Sequence, residues 1–318
     1  MFIFVLKTCG MCKMKRLMIC CVVLLMAVMP ASAQWHGSGG STVRPDATYM
    51  YAVHDTARLF LDVYNPAPGS ETEIDGKQKP TILFAFGGGF ISGSRRNGGY
   101  MPWFKMLTDA GCHVVSIDYR LGMKGKELKP SNVGRIMKSI RMATEDMLEA
   151  TGWLLQNEDS LGIDAGNIVL AGTSAGAVMS LQSMYELYNR RKPADVLPAD
   201  FRYAGVISFA GGILSNDGKI RFKEAPCPIL LFHGTADKVV TYKQIKFLWM
   251  GFFGADKIAE RFDKFGYDHI IYRQSDHGHE VSWHMMDFRN ETLDFIDNVV
   301  CRGRTGSIDE TVANTWLK

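Results

Sequence analysis

The chain has 318 residues, enough for one large α/β domain or two smaller domains. Hydrophobic residues make up 47% of it and charged residues 22%, an ordinary globular balance that permits a sizeable core. The formal net charge is +3, yet no lysine- or arginine-rich block follows residue 33, so the charge pattern gives no indication of a nucleic-acid partner.

The N-terminus has the pattern of a secretory signal peptide. The basic segment 13–16 precedes an apolar stretch over residues 17–29, and the small residues Ala31-Ser32-Ala33 follow as a cleavage site. This apolar stretch is shorter than the roughly 20 residues that span a bilayer. We therefore expect a signal peptide over residues 1–33, with Met14 as an alternative start, and a secreted or periplasmic protein without a stable membrane anchor.

Removal of that leader changes the charge and the cysteine count. Residues 1–33 carry four lysines and arginines and no acid, so the formal net charge becomes −1. Three of the seven cysteines remain, Cys112, Cys227 and Cys301, and they allow at most one disulfide. Cys112 and Cys227 open apolar, strand-like runs, where we expect buried free thiols.

The remaining chain predicts alternating strands and helices. Polar, glycine- and serine-rich residues 34–48 predict a flexible arm, and residues 49–318 a single folded domain. Alternating side chains over residues 49–64 indicate two antiparallel strands. Apolar runs then predict strands at Thr81–Phe86, His113–Asp118, Ile168–Ala171, Ala204–Phe209, Pro228–His233 and His269–Arg273. Helical spacing predicts helices near residues 101–110, 134–157, 175–190, 242–253 and 281–300.

This alternation predicts the fold class. Uniformly apolar strands that alternate with helices are typical of a mainly parallel central sheet with helices on both faces. The short gap between the strands that begin at Ala204 and Pro228 leaves space for little or no lid domain. We expect one α/β domain.

The segment Gly172-Thr173-Ser174-Ala175-Gly176 lies between a predicted strand and a predicted helix. A serine in Gly-x-Ser-x-Gly at such a junction sits on a sharp turn that exposes its hydroxyl group. The pattern alone is weak, and its context supports it, because apolar residues recur at helical spacing directly after it. We interpret Ser174 as a nucleophile.

A nucleophilic serine needs a base, and the base needs an acid to orient it. Asp237 follows the strand over residues 228–233 and lies at the carboxyl edge of the predicted sheet, where active sites of such sheets collect. We predict that Asp237 orients the base; a turn or helix-capping aspartate is the alternative. His233, at the end of the same strand, is assigned to packing and hydrogen bonding.

Two histidines compete as the base. His277 and His279 both follow the strand that ends near Arg273, and Gly278 gives the loop the freedom to turn His279 towards the serine. We therefore prefer His279. A zinc site built from these two and His284 is the other interpretation, but the spacing does not align the ligands on one helix face, so we expect no metal and no cofactor.

The glycines after the first core strand are candidates for an oxyanion hole. In Phe86-Gly87-Gly88-Gly89-Phe90, consecutive glycines let backbone N–H groups approach a ligand. We predict that Gly88 and Gly89, with Ala175 after the serine, stabilise a developing oxyanion. A phosphate-binding loop would need a following Gly-Lys-Ser/Thr, which is missing. A plain flexible turn is the alternative.

Together these motifs resemble the α/β-hydrolase superfamily, in the branch of carboxylesterases and hormone-sensitive-lipase-like esterases, over about residues 59–300. The resemblance implies a triad of Ser174, Asp237 and His279 with oxyanion donors at Gly88, Gly89 and Ala175. It rests on Gly87–Phe90, Asp118–Leu121, Asp146, Gly172–Gly176, His233–Asp237 and Gly278–Glu280. Two positions depart from the family: Phe86 replaces a histidine, and Ala177 replaces a common glycine.

The resemblance implies a serine carboxylic-ester hydrolase that acts through an acyl-enzyme. Export and similarity to bacterial acetyl-xylan and feruloyl esterases imply short-chain or carbohydrate esters. Trp103, Tyr119 and Trp283 are candidates to line a sugar or aromatic acyl site, although isolated aromatic residues more often belong to the core. The expected partner is thus a small-molecule or glycan ester. A prolyl-oligopeptidase-like serine peptidase and an inactive hydrolase-like binding module are the alternatives. The oligomeric state and the role of residues 302–318 stay open.

Overall fold

The computed structural model describes residues 43–313, with the Pro130 side chain left aside. The predicted signal peptide, 1–33, and residues 34–42 of the predicted arm lie outside the described residues. The last residues of that arm are ordered. Strand β1 begins at Ala47, and the backbone N–H of Asp46 donates to the carbonyl of Val63 over 2.8 Å.

The described residues form fourteen strands, numbered here in chain order. They are β1 Ala47–His54, β2 Ala57–Tyr64, β3 Glu73–Ile74, β4 Lys77–Gln78, β5 Thr81–Ala85, β6 His113–Ile117, β7 Ile168–Thr173, β8 Gly205–Phe209, β9 Gly212–Ser215, β10 Ile229–Gly234, β11 Gln244–Phe247, β12 Met250–Gly254, β13 His269–Gln274 and β14 Ser307–Val312. The six predicted core strands are all present, with ends within two residues of the predicted ones.

Six α-helices alternate with these strands. They are α1 Met101–Asp109, α2 Val133–Gln156, α3 Glu158–Leu161, α4 Ala175–Tyr188, α5 Ala255–Phe265 and α6 Arg289–Asp294. Short 3₁₀ turns cover Gly98–Tyr100, Pro130–Asn132, Lys192–Val196, His279–Trp283 and Met285–Phe288, and a π-helical segment covers Phe295–Cys301. The helix predicted near residues 281–300 is therefore a series of shorter helical pieces.

Nine strands form one twisted sheet in the order β1-β2-β6-β5-β7-β8-β10-β13-β14. The β1–β2 and β2–β6 pairs are antiparallel, and the other pairs are parallel. Strands β5 to β8 and β10 are buried at every residue, which explains their uninterrupted apolar sequences. The predicted fold class, an α/β-hydrolase fold with a mainly parallel sheet, is confirmed.

The helices pack in two groups. Helix α2 packs on α4, and α4 lies along β5, β7 and β8, whereas α1 packs on β6 and α6. In the α1–α6 layer, aromatic rings fill the space: Phe232 stacks on Phe209 at 4.8 Å and on Phe288 at 4.4 Å between ring centroids. Both layers bury apolar side chains of the sheet in one continuous core.

The prediction of a helix near residues 242–253 is wrong. Strands β11 and β12 form a hairpin there and pair with β9 in a small antiparallel sheet, and helix α5 begins only at Ala255. Ile245, Leu248 and Phe252 are spaced like one face of a helix. Two features favour the hairpin over a helix. Leu248 adopts the left-handed conformation that the turn between the strands needs, and Gly254 lies against the backbone of Thr241, where a side chain does not fit.

Two further features bear on the sequence predictions. Within the described residues, the sheets outside the main one are a three-stranded and a two-stranded sheet, both small, in agreement with little or no lid domain. The tail, whose role the sequence leaves open, adds β14 to the sheet edge parallel to β13, where Asp309 pairs with Arg273 over 2.6 Å.

The three remaining cysteines are buried free thiols in the structure. Burial raises the pKa of Cys112 and of Cys227 to about 12, so both stay protonated near neutral pH. Over residues 43–313, no helix combines the length and the apolar character that crossing a bilayer requires.

Candidate active site

The predicted site residues converge on one edge of the main sheet. Ser174 follows β7, Asp237 lies on the loop after β10, and His279 on the loop after β13, while the Gly87–Gly89 loop follows β5. These four strands are parallel, so all four loops leave the sheet at its carboxyl edge. The topology thus brings together residues that lie up to 192 positions apart in sequence.

Ser174 lies on a strained turn. Its φ of 51° and ψ of −118° are unfavourable for a residue with a side chain, and helix α4 begins at the next residue. The turn is held by hydrogen bonds from the Ser174 N–H to the Phe209 carbonyl, 2.8 Å, and from the Val178 N–H to the Ser174 carbonyl, 2.9 Å. The strained backbone directs the hydroxyl group away from the sheet, as the Gly-x-Ser-x-Gly pattern predicts.

The two glycines of the motif allow this turn. A Cβ atom at Gly172 would overlap the backbone of Gly176, and one at Gly176 would overlap the carbonyl of Ala85 on β5. Strand β7, helix α4 and strand β5 can therefore pack this closely against one another only because residues 172 and 176 are glycines.

Substitution of Gly176 is the first test of this packing. We expect Gly176→Ala to destabilise the protein by about 3 kcal/mol or more, because the methyl group meets backbone atoms that cannot move away. Urea unfolding measures the loss. Gly134→Ala is the matched control: this exposed glycine of α2 has no atom within 4 Å of the added Cβ, so the variant should be as stable as the parent or more stable. Equal stability of the two variants would contradict the packing argument.

Ser174, His279 and Asp237 form a continuous chain of hydrogen bonds. The Nε2 atom of His279 lies 2.8 Å from the Ser174 Oγ, and its Nδ1 lies 2.8 Å from the Asp237 Oδ2. A carboxylate only accepts, so Nδ1 carries the proton and Nε2 is free to accept the serine proton. All three residues are buried, with 7 to 8% of each exposed. The geometry is that of a nucleophile, a base and an orienting acid.

Asp237 is held as a carboxylate. Burial would raise its pKa, but hydrogen bonds from His233 and His279 outweigh burial and hold the pKa well below its usual range. Its Oδ1 also accepts the backbone N–H groups of Val239, at 2.8 Å, and of Val240, at 3.1 Å. The alternative role as a capping aspartate is thus real but additional: the same carboxylate caps its own turn and contacts the histidine.

The competing histidine, His277, contacts a residue of its own loop. Its Nδ1 lies 3.0 Å from the Glu280 Oε1, which also accepts the Gly278 N–H over 2.7 Å. Burial opposes ionisation of Glu280, but these hydrogen bonds lower its pKa. The His277 carbonyl accepts the Ala236 N–H over 2.8 Å, which joins the base loop to the acid loop. His277 shapes the loop, and His279 contacts Ser174.

The glycine loop lies directly beside the serine. A Cβ atom added at Gly87 would come within 3.4 Å of the Ser174 Cβ, and one at Gly88, with φ 121°, would overlap the Ser92 carbonyl. Among the described residues, no acceptor bonds the N–H groups of Gly88 or Gly89. The Ala175 N–H is the first of helix α4 and has no acceptor inside the helix. These groups are available to a developing oxyanion.

Aromatic residues brace this loop where the family has a histidine. The Phe86 ring stacks on Tyr119 at 4.4 Å between centroids, and the Tyr119 hydroxyl donates to the Phe86 carbonyl over 2.8 Å. Burial raises the pKa of Tyr119 well above its ordinary value, so the hydroxyl stays a donor. The Gly87 N–H donates to the Tyr100 hydroxyl over 3.1 Å. The loop is thus fixed by stacking and tyrosine hydrogen bonds.

The second departure from the family is also compensated. The Ala177 methyl group packs against Gly211, where an added Cβ would lie 2.8 Å from the Ala177 Cβ. A glycine on the facing loop therefore makes the space that the alanine needs.

Of the three aromatic residues expected to contact substrate, one is accessible. Trp103 is fully buried in the core, and Tyr119 is buried under the glycine loop. Trp283 is 40% exposed, and its ring centroid lies 6.5 Å from that of His279. Trp103 and Tyr119 therefore belong to the core, as is more common for isolated aromatic residues, and Trp283 remains the candidate for substrate contact.

The histidines of the predicted zinc alternative form hydrogen bonds with other side chains. His279 bonds Ser174 and Asp237, and the His284 Nδ1 lies 2.8 Å from Asp287. In the described part of the chain, the one group with the spacing of metal ligands is a different one, His54, Asp146 and Glu149. The Arg120 guanidinium donates to Asp146 over 2.7 Å there, and this positive charge opposes a bound cation.

Comparisons with known proteins agree with this fold. Residues 82–210 match a protein family described by the alpha/beta hydrolase fold. The chain is similar to ethyl acetate hydrolase of Pseudomonas putida, with 27% identity over 157 residues that cover 49% of this chain and 44% of that protein. It is also similar to cholinesterase 1 of Branchiostoma lanceolatum, with 30% identity over 37% of this chain and 30% of that protein. The matches thus span less than half the length of these relatives.

Among solved structures, the chain resembles esterase 2 of Thermogutta terrifontis with propionate bound, at a TM-score of 0.59. The two are 19% identical, and the superposition covers 82% of this chain and 96% of that one. From its strand order, from the match over residues 82–210 and from these solved structures, the chain has the α/β-hydrolase fold, and part of it is similar to esterases.

Proposed function

We propose that the protein is a serine carboxylic-ester hydrolase that acts through an acyl-enzyme. The observation that carries this proposal is the hydrogen-bonded chain from the Ser174 Oγ through His279 to Asp237. A hydrolase-like binding module without activity has no need for this arrangement on a strained turn beside free backbone donors. The similarity to ethyl acetate hydrolase supports the ester as the bond that is cleaved.

The geometry supports the following steps. His279 Nε2 takes the proton of Ser174 as Oγ attacks the ester carbonyl, while Asp237 stabilises the imidazolium that forms. The negative charge on the carbonyl oxygen is stabilised by N–H groups of Gly88, Gly89 and Ala175, together with the N-terminal end of helix α4. The imidazolium then protonates the leaving alcohol, and water, activated by His279, releases the acid and restores the serine.

We propose short-chain acyl groups, on a small alcohol or on a carbohydrate, as the substrate class. The relative named for ethyl acetate supports a two-carbon acyl group. Leu128 lies at the glycine loop, 3.0 Å from the position of a Cβ at Gly89, and limits the space beside the oxyanion donors. The exposed ring of Trp283 beside His279 offers a surface on which a sugar or an aromatic acyl group can stack. Acetylated xylan combines both features, and feruloylated xylan offers an aromatic acyl group to the Trp283 ring.

We also propose that this hydrolysis takes place outside the cytoplasm. The support is the basic, apolar and small-residue pattern of residues 1–33. An extracellular or periplasmic location agrees with a polysaccharide ester as substrate.

The direct test measures initial rates of the purified protein on chromogenic acetate, butyrate and octanoate esters, on acetylated and feruloylated xylan, and on a prolyl peptide. We expect kcat/KM to fall with acyl length and acid to be released from xylan. Cleavage of the peptide alone would favour the serine peptidase. Fast ester hydrolysis without release from xylan would restrict the substrate to small esters, and turnover of none would contradict the proposal.

Trp283 tests the stacking surface. We expect Trp283→Ala to raise KM for feruloylated xylan by roughly 3- to 10-fold, the value of one aromatic contact, with little change of kcat or of rates on the acetate ester. Steady-state kinetics on both substrates separate the two effects. Trp249→Ala, which removes a 61% exposed ring on the turn between β11 and β12, is the control. Equal KM values for the parent and Trp283→Ala would exclude Trp283 from the binding surface.

A further inference from the structure

His233 is the second imidazole on Asp237. Its side chain is fully buried at the end of β10, and its Nε2 lies 3.2 Å from the Asp237 Oδ2, the oxygen that also contacts His279. The same Nε2 lies 2.9 Å from the Val240 carbonyl. The sequence predicts packing and hydrogen bonding for His233, and the structure shows that one of its partners is the acid of the triad.

The partners of His233 define where its proton lies. The Val240 carbonyl and the Asp237 carboxylate only accept, so the Nε2 atom between them must carry a proton. The Nδ1 atom is buried and has no hydrogen-bond partner among the described residues. His233 therefore donates from Nε2 to these two acceptors.

This donor completes the hydrogen bonding of the carboxylate. The Asp237 Oδ1 accepts two backbone N–H groups, from Val239 and Val240, and the Oδ2 accepts from His279 and His233. Without His233, the Oδ2 would keep a single side-chain donor, and one hydrogen bond fewer would oppose rotation of the carboxylate about its bond to Cβ. The His233 contact to the Val240 carbonyl also closes the turn that supplies both backbone donors.

The backbone around His233 fixes where its ring lies. Strand β10 pairs His233 with Arg273 on β13, the strand that leads into the base loop. The next residue, Gly234, lies so close to the carbonyls of His277 and Gly278 that no side chain fits. His233 is thus fixed relative to both the acid loop and the base loop.

We infer that His233 is a positioning residue, which holds the Asp237 carboxylate in the rotamer that orients His279 towards Ser174. This inference rests on the proposed ester hydrolysis for its kinetic consequence. In this role His233 donates a hydrogen bond to Asp237 and transfers no proton to the substrate. A residue of purely structural value would affect folding, but not the alignment of the imidazole.

The test compares His233→Leu, which removes the donor, with His233→Gln, whose amide N–H₂ group reaches the position of Nε2. We expect His233→Leu to lower kcat on the acetate ester by roughly 10- to 100-fold with KM changed less than about 2-fold, since misalignment affects the transition state. His233→Gln should recover kcat to within about 3-fold of the parent.

His269→Leu is the matched control. His269 is another buried histidine, at the start of β13, whose Nδ1 bonds a carbonyl and a serine hydroxyl and which makes no hydrogen bond to the triad within the described residues. It should lose stability in urea without losing kcat. Equal loss of kcat in the leucine and glutamine variants of His233, no loss in either, or the same loss in His269→Leu would overturn the inference.

A proton NMR spectrum keeps the test independent of turnover. The Nδ1–H proton of His279 in its bond to Asp237 gives a downfield signal, assigned by its disappearance in His279→Gln. We expect this signal to shift or broaden in His233→Leu and to stay in place in His269→Leu. If the parent hydrolyses no ester, the proposed function fails, while an unchanged signal in folded His233→Leu would refute the positioning role by itself.

Discussion

Replacing Ser174 with alanine is expected to lower kcat on a chromogenic acetate ester by at least about 10⁴-fold, because the triad then lacks the atom that forms the acyl-enzyme. The fold should remain, with a stability within about 1 kcal/mol of the parent, since among the described residues the Oγ of Ser174 forms a hydrogen bond only with His279. Parallel measurements of initial rates and of urea unfolding separate the two effects.

Ser183→Ala is the matched control for this variant. Ser183 is a buried serine on the same helix, α4, and its hydroxyl donates to the Met179 carbonyl inside the helix over 2.8 Å. We expect its kcat to stay within about 2-fold of the parent. A serine-directed phosphonate should label the parent and Ser183→Ala with one group per chain, and leave Ser174→Ala unlabelled. Turnover retained by Ser174→Ala would assign the hydrolysis to another residue.

Much of this site follows from local patterns in the sequence. The Gly-x-Ser-x-Gly motif determines the turn, because Gly172 and Gly176 are the two positions where strands and helix leave no space for a side chain. The order of serine, acid and histidine along the chain then follows from parallel strands whose loops leave the same edge. The prediction that His279, rather than His277, is the base depends on Gly278 alone, and the structure places His279 at the serine.

Other parts of the fold and of the site can be recognised only in the three-dimensional structure. The hairpin of β11 and β12 has apolar residues at a spacing that fits both a helix and two strands, and pairing with β9 decides between them. Trp103 and Tyr119 carry the same kind of side chain as Trp283, and only burial distinguishes them. The contact between His233 and Asp237 joins residues four apart in a turn, and no periodic pattern indicates that their side chains meet.

Asp237→Asn is expected to lower kcat by about 10⁴-fold while leaving Ser174 and His279 in place. An asparagine offers an N–H₂ group or a carbonyl to the Nδ1 of His279, and the tautomer with its proton on Nε2 no longer accepts from the serine. Asp309→Asn is the control: its pKa is also lowered, by a hydrogen bond from Arg273, but it lies on β14 away from the triad and should keep kcat. Similar losses in both variants would indicate a general effect of removing a buried or paired charge.

The depressed pKa of Asp237 predicts how the free energy of unfolding depends on pH. The pKa of Asp237 is depressed in the folded protein, so its carboxylate stabilises the fold fully above the ordinary aspartate pKa of about 3.9, and this contribution is lost as the pH falls towards the folded value. In Asp237→Asn that contribution is absent at every pH. The difference in free energy of unfolding between parent and variant should therefore be constant from about pH 5 to 7 and shrink below about pH 4, measured by urea unfolding. A difference that grows on acidification would mean that burial, rather than hydrogen bonds from the two histidines, controls the ionisation of this carboxylate.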